Sequence, residues 1–368
     1  MGIVCDAPAS ADSKVSTSCS ESLIASFCDA RASPCGVSRP MGVGGTRRAG
    51  AERAGWTRGS ASRGTGARAR ATARRRAGGT RARMDGREAW CAYGGRFLSS
   101  SEARALDEDL IAGVGCVGSS LEALMRRAGR QAATATLEAA SDAERFCVLC
   151  GPGNNGGDGL VLARECATRR SGAEVMVWYP KGPGGSELYA KLAEECRRTP
   201  GVTFVDEETV SALVRSHLDK ASATSTCFVD ALFGFSFRGP VREPYVGAIR
   251  LLTALTLGED ARERRAFTVS LDVPSGWSVD GTSEGDCDFV PDLLISLTAP
   301  KRCCATLDDP ALGDARSARL KRLAQTHVVA GSFLTDEMCE KYGLQAIPLR
   351  EGSSVDYVPL DLSRRESS

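Results

Sequence analysis

A chain of 368 residues, 42% of them hydrophobic and with a formal net charge of +1, can bury one large core or two ordinary ones. It has no apolar run of about 18 residues and no secretory h-region, so neither a transmembrane helix nor a secretory signal is expected. Two histidines, His217 and His327, neither in a motif, argue against a His-based triad or metal site, and 15 scattered cysteines fit free buried thiols better than a disulfide framework.

The near-neutral charge hides an asymmetry. Residues 1–90 hold 16 Lys/Arg against 7 Asp/Glu, which leaves the rest of the chain acidic. Between Met41 and Met84, 12 arginines face a single acid, Glu52, in a background of Ala, Gly, Ser and Thr. Such a segment cannot bury a core, so residues 1–94 are expected to be a disordered basic leader. Two readings of it compete. An organellar transit peptide, chloroplast or mitochondrial, fits an Arg-rich, acid-poor stretch, although Asp6, Asp12, Glu21 and Asp29 fit it poorly. An RNA-binding arm fits the Arg-Gly content, but Trp56 is the only aromatic of the stretch on which a base could stack, which disfavours nucleic acid. Met1, Met41 and Met84 are alternative starts, and the cytoplasm is the alternative location.

Order is expected from about Phe97. Leu98-Ser99-Ser100-Ser101-Glu102 reads as a helix start, with hydroxyl caps and an acid in the first turn, and Leu106, Leu110 and Ile111 continue the stripe. A second helix is expected across Ser119–Ala139, where Gly129 predicts close packing against another backbone. From there the period alternates. Strands are predicted at Phe146–Cys150, Glu174–Tyr179, Val202–Val205, Thr226–Val229, Phe267–Leu271, Leu293–Leu297 and Thr326–Val329. Helical patterns fall at 159–170, 186–198, 207–219, 243–256 and 313–323, with a closing helix at Thr335–Tyr342. Strands separated by helices of that length predict an α/β fold: a doubly wound, mostly parallel Rossmann-like sheet with helices on both faces. The expected organisation is a leader at 1–94, one domain at 95–350 and a tail at 351–368. Cys147-x-x-Cys150 lies within the first predicted strand, where alternation puts its two thiols on opposite faces and so against a redox or zinc role.

Ligands of open α/β sheets bind beyond the carboxyl ends of the strands. After the first strand comes Gly-Pro-Gly-Asn-Asn-Gly-Gly-Asp-Gly at 151–159, read as a glycine loop that opens a helix whose N–H groups can meet a phosphate. Gly151, Gly153 and Gly156 satisfy G-x-G-x-x-G, a weak signal alone, and no Lys-Ser/Thr follows to make a P-loop. After the second strand stands Lys181, where an NAD-dependent oxidoreductase places an acid. Asp230, Asp272 and Ser275 follow later strands, and with Asn155 and Asp158 they form an all-oxygen set suited to a hard, monovalent cation.

These blocks carry a family resemblance. The 151–159 segment, Val229-Asp230-Ala231-Leu232-Phe233-Gly234-Phe235-Ser236-Phe237, Val241-Arg242-Glu243-Pro244, Leu271-Asp272-Val273-Pro274-Ser275-Gly276-Trp277 and Leu294-Ile295-Ser296-Leu297-Thr298-Ala299-Pro300-Lys301 resemble the NAD(P)H-hydrate epimerases, the YjeF N-terminal domain family. The likeness runs over roughly 97–350 and includes Leu124-Met125-Arg126-Arg127-Ala128-Gly129. It implies that Asn154, Asn155, Gly156, Gly157, Asp158, Gly234, Phe235, Ser236, Phe237, Arg238, Gly239, Pro240 and Asp272 bind the hydrated nucleotide. It also implies that Asn155, Asp230 and Ser275 hold a potassium ion. Pro240 stands where several members have Asp, and Arg238 where they often have Lys.

The implied substrate is hydrated NADH or NADPH, with a hydroxyl on the ring carbon next to the ring nitrogen. Protonating that hydroxyl lets the nitrogen lone pair expel water, and water returning to the opposite face inverts the centre. Asp272 is expected to serve as acid and then base. A homodimer is implied, as is a separate dehydratase, for which this chain has no room; nor is 351–368 long enough for the oxidase domain of some plant-type members. A non-catalytic scaffold of the same family and a NAD(P)-dependent oxidoreductase are the competing readings.

Overall fold

A computed structural model describes residues 91–92, 95–114, 120–257, 265–280, 289–305, 307, 315–330, 334–345 and 357–361. All belong to one compact unit spanning Ala73–Ser368. The expectations for the leader, apart from its last few residues, lie outside the described residues.

Nine strands form a single sheet: β1 (Cys91–Ala92), β2 (Arg145–Cys150), β3 (Glu174–Trp178), β4 (Val202–Val205), β5 (Thr226–Ala231), β6 (Ala266–Leu271), β7 (Leu293–Leu297), β8 (His327–Ala330) and β9 (Tyr357–Asp361). Their order is β1-β9-β8-β7-β6-β5-β2-β3-β4. From β8 across to β4 every pair is parallel, while β9 runs antiparallel to β8. Chain progression leaves β2 in one direction through β3 and β4, and in the other from β5 to β8. That reversal opens a crevice above β2 and β5, the switch point of a doubly wound fold.

The helices are α1 (Ser100–Ala112), α2 (Leu121–Ala139), α3 (Asn154–Arg169), α4 (Glu187–Arg197), α5 (Glu207–Leu218), α6 (Tyr245–Thr256), α7 (Ala315–Ala324) and α8 (Asp336–Tyr342). The predicted start of α1 is a full capping box: Ser99 accepts from the Glu102 N–H while the Glu102 carboxylate accepts from the Ser99 N–H. Residues from α2, α3 and α4 share one core cluster with Phe146, Val148 and Cys150 of β2. Cys147 and Leu149 of that strand face the opposite cluster, with α5 and α6, so the Cys147-x-x-Cys150 pair is split across the sheet as alternation required. Leu320, Leu323 and Ala324 of α7 pack on Leu294 and Val329.

Two differences from the sequence reading concern the ends. The sheet reaches past residue 350, where a tail was expected, because β9 pairs with β8. Cys91 and Ala92, at the end of the expected leader, pair with Leu360 and Asp361. Runs of two and five residues carry too little periodicity to stand out; their backbone partners lie far away in sequence. Among the described residues no helix is long and apolar enough to cross a membrane.

Candidate functional site

A cavity of about 910 Å³ occupies the switch-point crevice, a size suited to a dinucleotide. Its floor is the start of α3. The sequence reading treated Asn154–Asp158 as a loop; the structure makes these residues the first turn of α3, capped by Gly153 with no side-chain cap bond. Two adjacent glycines should disfavour a helix there, and tertiary packing overrides that preference. At Gly156 a Cβ would lie 1.8 Å from the Gly151 carbonyl oxygen, so only glycine lets the helix seat this close to β2. Pro152, Gly153, Asn154 and Asn155 at this helix start, which no side chain caps, line the cavity; a helix N-terminus without a cap is suited to an anion.

The loop after β5 forms a second wall. Gly234, Phe235, Ser236, Phe237, Arg238, Gly239 and Pro240 all line the cavity. Phe233 stacks on Phe237 with centroids 4.1 Å apart and meets Tyr245 edge-on at 5.1 Å, which fixes the base of the loop. Its far side is tied to α1, where the Ser100 hydroxyl donates to the Phe235 carbonyl at 3.0 Å.

Asp272 and Lys301 form the third wall, just beyond β6 and β7. Asp272 holds a positive φ of 66° and Thr298, after β7, one of 65°, conformations uncommon for residues with a Cβ, and both residues line the cavity. Asp272 Oδ2 accepts the Phe235 N–H at 2.7 Å, and its Oδ1 is ion-paired with the Lys301 ammonium. Lys301 is 3% exposed, also donates to the Leu297 carbonyl at 2.7 Å, and sits 5.5 Å from the centre of the Phe235 ring.

Two more carboxylates line the same space. Asp158, in the first turn of α3, is buried and accepts no hydrogen bond from the described residues. Burial pushes its carboxyl well above the usual carboxylate range, and the negative charges of Asp272 and Asp107 add to the shift. Asp107 of α1 is raised to about 6, first by burial; the Asp272 charge adds to this and Lys301 opposes it.

Of the expected ion ligands, Asn155 lies on the cavity wall, whereas Asp230 and Ser275 lie off it. Asn155 lines the cavity and is buried; its Nδ2 donates to the Leu271 carbonyl at 3.4 Å, while its Oδ1 has no hydrogen-bond partner. Asp230 is fully buried and accepts four hydrogen bonds: from the Leu232 N–H (3.2 Å) and Ser275 hydroxyl (2.6 Å) on Oδ1, and from the Ser270 hydroxyl (2.9 Å) and Ser275 N–H (2.8 Å) on Oδ2. Burial raises the Asp230 carboxyl and those donors oppose the shift. The Ser275 oxygen in turn accepts the Phe233 N–H at 3.1 Å. No cluster of three or more His, Cys, Asp or Glu suited to a metal exists among the described residues.

Most predicted site residues therefore converge. Asn154, Asn155, Asp158, the 234–240 loop and Asp272 line one cavity, whereas Gly156 and Gly157 are buried off its wall and Asp230 and Ser275 buttress it. Sequence reasoning gave no role to Lys301, although the strand-end position was visible, and missed Asp107, whose surroundings in a helix stripe carried no signal. Lys181, which follows the second predicted strand, is exposed at the cavity edge with its ammonium 5.3 Å from the Tyr245 ring centre.

Fold and cavity together define a doubly wound α/β protein built to hold a nucleotide-sized ligand against an aspartate–lysine pair. The model of the family described as YjeF-related protein N-terminus matches residues 121–303. The NAD(P)H-hydrate epimerase of Giardia intestinalis is 38% identical over 270 residues, covering 68% of this chain and 90% of that protein. The enzyme of the same name from Yarrowia lipolytica is 35% identical over 261 residues, with coverage of 70% and 90%. The chain also matches the chloroplastic pyridoxine/pyridoxamine 5'-phosphate oxidase 1 of Arabidopsis thaliana at 34% identity, but spans only 44% of its length. Among solved structures, the yeast protein YNL200c superposes with a TM-score of 0.58 at 30% identity, covering 72% of this chain and all of the yeast chain. The chain belongs to the YjeF N-terminal family that includes the NAD(P)H-hydrate epimerases.

Proposed function

We propose that this protein is an NAD(P)H-hydrate epimerase, an isomerase that interconverts the two epimers of hydrated NADH and NADPH. The observation that carries the reading is the Asp272–Lys301 pair at the strand ends, facing an uncapped helix N-terminus across a nucleotide-sized cavity. The α3 N-terminus suits the pyrophosphate, because its free N–H groups and dipole favour an anion. The reacting ring then falls beside Asp272, whose carboxylate exchanges protons with the ring hydroxyl. Protonation of that hydroxyl lets the ring nitrogen expel water, and re-addition from the other side yields the epimer without net redox change. Apolar side chains of α1, Leu106 and Leu110 among them, and Phe233, Phe235 and Phe237 of the loop after β5 line part of the cavity.

A potassium ion fits the Asn155 amide oxygen, a buried acceptor lacking a donor, with Asp230 and Ser275 as further oxygen ligands. When bound it would supply positive charge and order the loops after β5 and β6. The Arg-rich 41–84 stretch, and the chloroplastic relative, support delivery to an organelle, chloroplast or mitochondrion. We further assign the chain to a homodimer, working with a separate dehydratase that consumes one epimer.

The test is direct. Purified full-length protein is given each epimer of hydrated NADH separately in H₂¹⁸O, and the products are separated and weighed. Interconversion with one solvent oxygen gained per inversion supports expulsion of water; inversion without label means the ring opened instead. An Asp272→Asn variant should lose about 10²–10⁴-fold in turnover. No interconversion by the wild type would leave a binding module of this family.

A further inference from the structure

The reaction demands a proton for the hydroxyl that leaves one face of the ring and a base for the water that arrives on the other. Inverting glycosidases, whose transition state has comparable cationic character, place a separate carboxyl group on each face of the ring. This cavity holds two carboxylates in unlike settings. Asp272 is ion-paired with the Lys301 ammonium through Oδ1 and accepts the Phe235 N–H on Oδ2. Asp158, on a different element, lines the cavity, is 7% exposed, and receives no hydrogen bond from the described residues. A carboxyl group without donors in a buried wall is suited to carry a proton, while the ammonium beside Asp272 fixes where its carboxylate stands.

Resting on the epimerase reading, we propose that the two transfers are divided: Asp158 protonates the leaving hydroxyl, and Asp272, positioned by Lys301, takes the proton of the incoming water. In the first step the Asp158 O–H bond breaks, the ring C–O bond breaks, water leaves, and the nitrogen lone pair becomes the second bond of C=N. In the second step a solvent oxygen bonds to the same carbon, that electron pair returns to nitrogen, and the released proton goes to Asp272. The turnover ends with Asp158 ionised and Asp272 protonated, the pair of states from which the reverse reaction starts, and a proton passing through water resets them. Lys301 is a positioning residue: its bonds to Asp272 and to the Leu297 carbonyl hold the acceptor at the mouth of β6 in its positive-φ turn. The charged and titratable groups facing Asp158 are Asp107 of α1, Tyr189 of α4, and Asp272 and Lys301 beyond β6 and β7.

The experiment compares full-length wild type with Asp158→Asn, Asp158→Glu, Lys301→Met and Lys301→Arg. It measures kcat and KM for each epimer from pH 5 to 9 after subtraction of spontaneous interconversion, with melting curves alongside. Asp158→Asn should lose about 10²–10⁴-fold in kcat with KM changed only a few-fold. Because the donor must be protonated, wild-type kcat should fall as pH rises through the Asp158 transition, and Asp158→Glu should keep that descending limb. Lys301→Met should lose on the order of 10²-fold in kcat, and Lys301→Arg should recover part of it while KM stays level. Wild-type kcat in Asp158→Asn, or in Lys301→Met, overturns the division. If a melting curve shows either of these variants unfolded, the Glu and Arg variants decide: loss of the descending limb in the first, or no activity in a folded second, overturns it. A wild type inert on both epimers sinks the epimerase reading instead.

Discussion

The close approach of α2 and α3 makes Gly129→Ala a test of how packing sets the site. A Cβ at Gly129 would lie 2.5 Å from Val161 Cβ, 2.7 Å from Val161 Cγ1 and 2.8 Å from the Asp158 carbonyl oxygen. Carbon–carbon contacts settle at about 3.5–4.0 Å, so the helices must part by roughly 1 Å. Two of the three clashing atoms are backbone or Cβ, which no rotamer change can move. Overpacking of this kind costs about 1–3 kcal/mol, and exchanging glycine for alanine within a helix returns up to about 1 kcal/mol. The net expectation is a destabilisation of about 1–2 kcal/mol, or a few degrees in Tm for a domain of this size. The larger effect is catalytic. Helix α3 carries Asn155 and Asp158, and a shift of about 1 Å at a reacting group can cost on the order of 10²-fold in rate. Urea unfolding paired with the epimer assay measures both. A variant with an unchanged midpoint and unchanged kcat would refute this account of how α3 is held.

Three further outcomes are expected. Asp230→Ala strips the acceptor from two buried backbone N–H groups, those of Leu232 and Ser275, and should cost about 2–5 kcal/mol, lowering Tm on the order of 10 °C; it should also abolish any effect of potassium on substrate affinity. Wild-type melting argues against the hydrogen-bond role, and an undiminished potassium response argues against the ion-ligand role. Asp107, raised from 3.8 to about 6, contributes stability that is full below the unfolded value and lost as pH rises through 6; the same ionisation adds a negative charge to a cavity meant for an anionic nucleotide. KM should therefore climb between about pH 5 and 7, and Asp107→Asn should flatten that climb; an identical profile in the variant disproves the link. A fluorescent fusion of residues 1–95 should enter an organelle and be cleaved within the leader, before Phe97, whereas cytosolic retention of the intact fusion, or salt-sensitive RNA binding, would end the targeting proposal.

Much of this protein is written in short-range pattern. The alternation in Phe146-Cys147-Val148-Leu149-Cys150 assigned a strand and sent its thiols to opposite faces, and Ser99 with Glu102 announced a capped helix. Parallel order followed because each strand was separated from the next by enough chain for a crossover helix. Asn155, Asp158 and Asp272 could be chosen as site residues because a parallel sheet delivers its strand ends to one rim. Tertiary structure decided what depends on distance and burial. Asn154–Asp158 became a helical turn only because Gly156 can lie against the Gly151 carbonyl, a contact that propensity does not encode. Asp230 and Asp272 look alike in sequence, each an acid at a strand end. One is enclosed by four donors beneath the floor and the other faces the cavity against Lys301. The partners that separate them, Ser270 and Ser275 for the first and Phe235 and Lys301 for the second, meet only when neighbouring strands align, so their roles come from the register of the sheet.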